Sequence, residues 1–153
     1  MVNKGGMLGR AGVTAFIATA NPSRSKKFYR DTLGLPLVSD DRFAIEFDCN
    51  GVALRIQKVS ELTPHPFTAL GWHVQNIGDA VATLSKRGVA FERYPYLEQD
   101  PLGIWEAPSG TRVVWFKDPD GNLLSLSESP RLRKRVKSAS PRRRSSALRR
   151  VRT

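Results

Sequence analysis

The chain repeats one pattern twice, and that repeat limits its fold more than any single motif does. Phe116-Lys-Asp-Pro-Asp-Gly-Asn-Leu-Leu-Ser-Leu126 places a tight-turn signal, Asp118-Pro119-Asp120-Gly121, between two apolar runs. Seventy residues earlier, Asp48-Cys49-Asn50-Gly51 stands in the same way before Val52-Ala-Leu-Arg-Ile-Gln57. A second pair agrees: Asn21-Pro-Ser-Arg-Ser-Lys-Lys-Phe28 follows one apolar run, and Asn76-Ile-Gly-Asp-Ala-Val-Ala-Thr83 follows another, fifty-five residues on. Asn-Gly or Asp-Gly between alternating runs signals a hairpin, and self-similarity at a long period signals a duplicated unit.

Each copy reads as β-α-β-β-β. In the first, a strand over 13–19 leads to Asn21, a good helix N-cap. Pro22 suits the first helical position, and Gly34 provides the stop. Strands are expected near 36–40, 43–48 and 52–58. In the second copy a strand over 69–75 precedes a helix that Asn76 caps and Gly88 ends, with Asp79 placed as the acidic partner of a capping box. Strands near 90–95, 112–117 and 122–128 complete it. The second copy is longer, and its surplus falls in a loop around 96–110.

Strand alternation then separates two faces. Val52, Leu54 and Ile56 oppose Ala53, Arg55 and Gln57, while Leu124 and Leu126 oppose Leu123, Ser125 and Ser127. Leu70, Trp72 and Val74 oppose Ala69, Gly71 and His73, and Ala15, Ile17 and Thr19 oppose Thr14, Phe16 and Ala18. Each sheet thus has an apolar face for its helix and a face of small and polar residues for a ligand.

Charge divides the chain differently. The net charge of +11 arises in residues 129–153, which hold eleven Lys and Arg and no acid; residues 1–128 carry fourteen bases against fourteen acids. This reading gives an N-terminal extension over 1–11, one domain over 12–128 (units 12–58 and 69–128) and a basic tail over 129–153 with the composition of a disordered segment. The tail is expected either to be a solvated extension or to attract nucleic acid nonspecifically; it has no aromatic residue for stacking on bases. A single cysteine, Cys49, suits a reducing compartment, and a cytoplasmic location is expected. No apolar run is long enough to span a membrane, and the short run before Ala18-Thr-Ala20 is broken by Thr14, so no signal peptide is expected.

The run Asn21 through Phe28-Tyr29-Arg30-Asp31-Thr-Leu-Gly-Leu35, with Val74-Gln-Asn-Ile and Asp118-Pro-Asp-Gly-Asn-Leu-Leu-Ser-Leu126, resembles the vicinal oxygen chelate superfamily of glyoxalases, bleomycin-resistance proteins and extradiol dioxygenases. The resemblance covers roughly residues 12–128 and implies an α+β fold: two tandem β-α-β-β-β units forming an open, cupped sheet around a cavity. It also implies edge-to-edge pairing into a homodimer. Metal-dependent members hold a divalent ion with His, Glu or Gln on four strands. Carried over by motif, those positions fall on Thr14, Arg55, Ala69 and Ser125, none of them a normal ligand for such an ion. No metal and no cofactor are therefore expected.

Candidate ligand residues on the cavity-facing parity are Arg55, Gln57, His73, Thr14 and Ser125, with Trp105 from the surplus loop. Arg55 binds an anion or pairs internally with Glu46. His73, the sole candidate for a catalytic base, is either that or a structural histidine. Trp105 stacks on a planar ligand or packs on a dimer partner. His65, between two prolines, is expected in an exposed loop, and Cys49 is expected to be unreactive.

The leading expectation is a metal-free small-molecule binding protein that sequesters an anionic or aromatic metabolite or antibiotic. One alternative is a metal-dependent lyase, isomerase or dioxygenase with an atypical site. Another is a dimeric scaffold whose basic tail binds nucleic acid.

Overall fold

The computed structural model describes residues 5–130. The expectation for the tail lies, beyond Pro130, outside the described residues. Two four-stranded mixed sheets carry the fold. The first unit contributes β1 (Thr14–Thr19), α1 (Pro22–Lys27), β2 (Leu37–Asp40), β3 (Ala44–Cys49) and β4 (Val52–Lys58), ordered β1-β4-β3-β2. The second contributes β5 (Leu70–His73), α2 (Ile77–Lys86), β6 (Trp105–Glu106), β7 (Arg112–Lys117) and β8 (Leu123–Glu128), ordered β5-β8-β7-β6. In each sheet the first strand runs parallel to the last, because the helix between them is a crossover, and the hairpin strands are antiparallel.

The repeat holds residue by residue. Phe16 on β1 registers with Arg55 on β4, and Gly71 on β5 registers with Ser125 on β8, at the offsets that separate the sequence motifs. The caps form as expected: Asn21 Oδ1 accepts from Arg24 N, and Asn76 Oδ1 accepts from Asp79 N. Asn50 and Gly51 both have positive φ, 51° and 89°, as the two-residue hairpin turn demands. Helix α1 runs straight into a π-helical turn at Phe28–Thr32, which presents Tyr29 to the interior.

One expected element is absent as a strand. Residues 90–95 pair with β7 at a single isolated bridge, Phe91 to Phe116, and form no strand; the edge of the second sheet is taken by β6 instead. The apolar character of Phe91 and Val89 marks packing against the core, not a strand.

A single core joins the units. Ile17, Ile45, Phe47, Leu54 and Ile56 belong to the same buried cluster as Ile77, Val81, Val114, Phe116 and Leu124. On α2, Ile77, Val81 and Leu84 follow helical spacing and are all buried. The opposite parity is left outward: Thr14, Phe16, Gln57, Gly71 and His73 are exposed. Within one chain the small-and-polar faces are therefore open. Among the described residues no helix is long and apolar enough to cross a membrane.

Candidate functional site

The structure sorts the six expected ligand residues into two groups. Thr14, Arg55 and Gln57 lie on the outward face of the first sheet; His73, Ser125 and Trp105 lie on that of the second.

On the first sheet, Arg55 sits between Phe16 on β1 and Glu46 on β3. Its Nη1 donates to Glu46 Oε1 at 3.0 Å, with the side chains 35% and 22% exposed. Of the two roles open to Arg55, the internal pair is the one formed. Gln57 and Thr14 are exposed, opposite Ala18 and Ala53 respectively.

The second sheet offers a more developed surface. Its floor is Gly71, Ser125 and Ser127, all small because β5 and β8 alternate small and apolar residues. A β-carbon added at Gly71 would meet Ser125 Oγ at 2.5 Å, so the bare backbone at Gly71 is what admits that hydroxyl. At one side, His73 Nδ1 and Ser127 Oγ share a hydrogen bond of 2.8 Å. At the other, Trp115, opposite Ser125 on β7, begins an aromatic wall. Its ring centroid is 6.0 Å from Trp105 and 5.6 Å from Tyr94, which in turn lies 5.6 Å from Tyr96. Trp115 Nε1 donates to Thr68 Oγ1 at 3.2 Å, which anchors the indole. Burial, followed by the nearby Glu92 carboxylate, pushes the Tyr94 hydroxyl up, so it stays neutral at ordinary pH.

The loop carrying Tyr94, Tyr96 and Trp105 is pinned in place. Gln99 accepts from Tyr94 N at 2.7 Å and donates to the carbonyls of Glu92 and Gly103. Arg93 holds the carbonyls of Asp100 and Pro101, and Asp100 Oδ1 accepts from Leu102 N and Ile104 N. With Ile104 buried at 3% exposure, the surplus segment is anchored to the core and held as a wall by its own backbone contacts.

Two of the hollows border expected ligand residues. A cleft of about 380 Å³ lies where Leu33 and Leu35 of the first unit meet α2, Trp72 and Phe116; His73 is the one expected ligand residue bordering it. A hollow of about 610 Å³, lined by Tyr96, Glu98, Trp105, Glu106, Pro108 and Gly110, opens at the far edge of the second sheet.

The superfamily's ion does not fit the matching positions. They supply the Thr14 and Ser125 hydroxyls, the Ala69 methyl and a guanidinium already engaged by Glu46, and a guanidinium repels a cation. Among the described residues no group of three or more His, Cys, Asp or Glu is placed to hold a metal. His65 is exposed and stacks on Phe67, and burial pushes the half-buried Cys49 thiol up, away from reactivity.

Sequence reasoning missed Trp115, although alternation in 112–117 puts it on the Ser125 side. It also missed the carboxylates of Glu98, in irregular chain, and Glu106, in a two-residue strand too short to show a period.

Two four-stranded sheets over a shared core, each reached by the same β-α-β-β-β order, define a duplicated protein, and the comparisons identify its family. The sequence model of the Glyoxalase/Bleomycin resistance protein/Dioxygenase superfamily matches residues 11–126, and the chain belongs to that superfamily. Among solved structures it is similar to the lactoylglutathione lyase from Agrobacterium tumefaciens, at 16% identity over 78% of this chain and 93% of that one, with a TM-score of 0.61. It is also similar to a glyoxalase/bleomycin resistance protein/dioxygenase from Alicyclobacillus acidocaldarius, at 19% identity over 78% and 92%, TM-score 0.59. A superfamily member from Sphaerobacter thermophilus DSM 20745 shares 25% identity over 78% and 97%, TM-score 0.59. The first two likenesses speak to the fold alone. A search of curated proteins finds no match.

Proposed function

We propose that this chain is a small-molecule binding protein that works without a bound metal and holds an aromatic ligand against the outward face of the second sheet. The observation that carries this reading is the wall of Trp115, Trp105 and Tyr94 beside the floor of Gly71 and Ser125. A flat ring over that floor would meet an aromatic edge, a contact of about 0.5–1.5 kcal/mol per pair beyond burial. The Ser125, Ser127 and His73 groups would orient it by hydrogen bonds. Arg55, engaged by Glu46, is a weaker anchor for an anion, so the aromatic ligand is preferred over the anionic one. Sequestration of such a compound needs binding alone.

A second copy of the chain belongs to this reading. Phe16 is 55% exposed beside the Arg55–Glu46 pair, and a partner covering that face would bury it.

The test is a thermal-shift screen of the full chain against planar aromatic compounds, anionic and neutral. A ligand at about a hundred times its Kd adds about 2.7 kcal/mol of stability. The shift should vanish in Trp115→Ala; no shift with any aromatic compound would sink the proposal.

A second reading, an enzyme with His73 as general base, is favoured by one observation. The bond to Ser127 fixes His73 Nδ1, so the exposed ring's Nε2 is the nitrogen left to move a proton. Turnover of a hemithioacetal, lost in His73→Ala while ligand binding persists, would replace the binding-only reading.

A further inference from the structure

The hollow at the far edge of the second sheet shares Trp105 with the proposed ligand site and adds carboxylates that the site does not use. Tyr96, 78% exposed, and Trp105 present aromatic rings, and Glu98 and Glu106 present carboxylates, in the same hollow of about 610 Å³. Aromatic faces with carboxylates beside them recognise an alkylguanidinium, which stacks on the ring and donates to the acid.

The last described residues lie beside this hollow. Glu106, Arg112 and Glu128 stand in one row across β6, β7 and β8. With neighbouring strands about 4.8 Å apart, the end of β8 is roughly 10 Å from Glu106. Extending the antiparallel register of β7 and β8 by two residues sets Pro130 level with Gly110, itself part of the lining. The next five residues are Arg131-Leu-Arg-Lys-Arg135, in a stretch of eleven Lys and Arg without an acid. At about 3.3 Å per residue, five residues reach across the hollow, and in an extended run Arg131, Arg133 and Arg135 share one side.

We propose that the segment 131–135 docks in cis into this hollow, its guanidinium groups lying on Trp105 and Tyr96 and pairing with Glu98 and Glu106. The inference is independent of which compound the outward face binds. It gives the basic tail a folded partner in its own chain and places that partner against Trp105, the outer member of the aromatic wall.

The experiment treats the full chain with a water-soluble carbodiimide, which joins a carboxylate to an amine within contact distance, and maps the product by mass spectrometry. The expected product, made in Arg133→Lys so that an amine lies on the docked side, is an amide between Glu98 or Glu106 and that lysine within one chain. It is weakened by high salt, whose screening length falls to about 3 Å at 1 M, and lost when Arg131→Ser and Arg135→Ser are added, changes that lie outside the described fold. Mixing isotope-labelled and unlabelled chains separates the two sources of the tail: a product joining labelled to unlabelled chain would make the occupant a second copy and overturn docking in cis. Limited trypsin supplies an independent readout. Cleavage after Arg131, Arg133 and Arg135 should be at least ~10-fold slower than after Arg142–Arg144, and Glu98→Gln/Glu106→Gln should abolish the difference. No product and equal cleavage would overturn the proposal.

Discussion

Tyr29 Oη donates to Asp118 Oδ2 at 2.8 Å, and both groups are buried where the first unit's helix meets the second unit's hairpin turn. The same carboxylate accepts from Asn122 Nδ2, Asn122 N and Asp120 N. Its neighbour Asp120 accepts from Thr19 Oγ1 at 2.6 Å and Ala20 N at 2.8 Å, while Asn122 Nδ2 also donates to the carbonyl of Ala18. The Asp-Pro-Asp-Gly-Asn turn is thus a clamp between the two copies. Removing one donor from a buried carboxylate costs about 1.5–3 kcal/mol, and Tyr29→Phe should lose that much in urea unfolding. A loss near zero would deny the clamp its part in stability.

The same pair makes the fold sensitive to alkali. Burial, then the Asp118 charge, pushes the Tyr29 hydroxyl well above its ordinary value of 10.0. The unfolded chain therefore releases this proton first. The contribution is complete below about pH 10 and is lost as pH rises towards the folded value. Unfolding free energy measured across that range should slope downwards in the native chain and less steeply in Tyr29→Phe.

The Arg55–Glu46 pair is about a third and a fifth exposed, so its worth is modest. Arg55→Met should cost about 1 kcal/mol or less, and a double-mutant cycle with Glu46→Gln should give a coupling of about 0.2–1 kcal/mol. A far larger loss would mean the pair is screened from water by a partner over that face.

Gly71→Ala should cost about 0.5–1.5 kcal/mol, since the new methyl meets Ser125 Oγ and turns that hydroxyl out of its place. Adding Ser125→Ala should recover most of the loss in thermal melts. Failure to recover would place the conflict in the backbone.

Ser125→Glu alone should bind no divalent ion tightly, because Thr14, Ala69 and the Glu46-engaged Arg55 still supply no carboxylate or imidazole. Titration calorimetry with Mn or Zn checks this, and tight binding would mean that the four positions are misassigned.

Much of the architecture was legible because the repeat carries its own punctuation. Asn21 and Asn76 cap, Gly34 and Gly88 stop at positive φ, and the strand parity of Leu54, Ile56, Leu124 and Leu126 matches their burial. The edge of the second sheet was not legible. Phe91 looks like a strand residue but serves as a core contact, and two-residue β6 is too short to show alternation. The site was half legible. Parity put Ser125 and His73 on one face, but the aromatic wall depends on how Gln99 and Arg93 fold the loop back on itself, which is set by contacts to backbone carbonyls. Arg55 was legible as outward-facing, and only the register against β3 decided in favour of Glu46.

The hydrogen bonds from the last hairpin turn back to β1 and the helix after it close very large loops: Thr19 to Asp120 spans 101 residues, Ala18 to Asn122 spans 104 and Tyr29 to Asp118 spans 89. Contacts so distant in sequence repay their closure entropy only after both ends are made, so they form late and slow the search. Duplication alone would suggest two autonomous modules, yet here neither copy holds a complete interior. The Asp118 carboxylate has its full set of donors only when the first copy's tyrosine is in place. A first copy made without the final hairpin is therefore expected to remain only partly assembled.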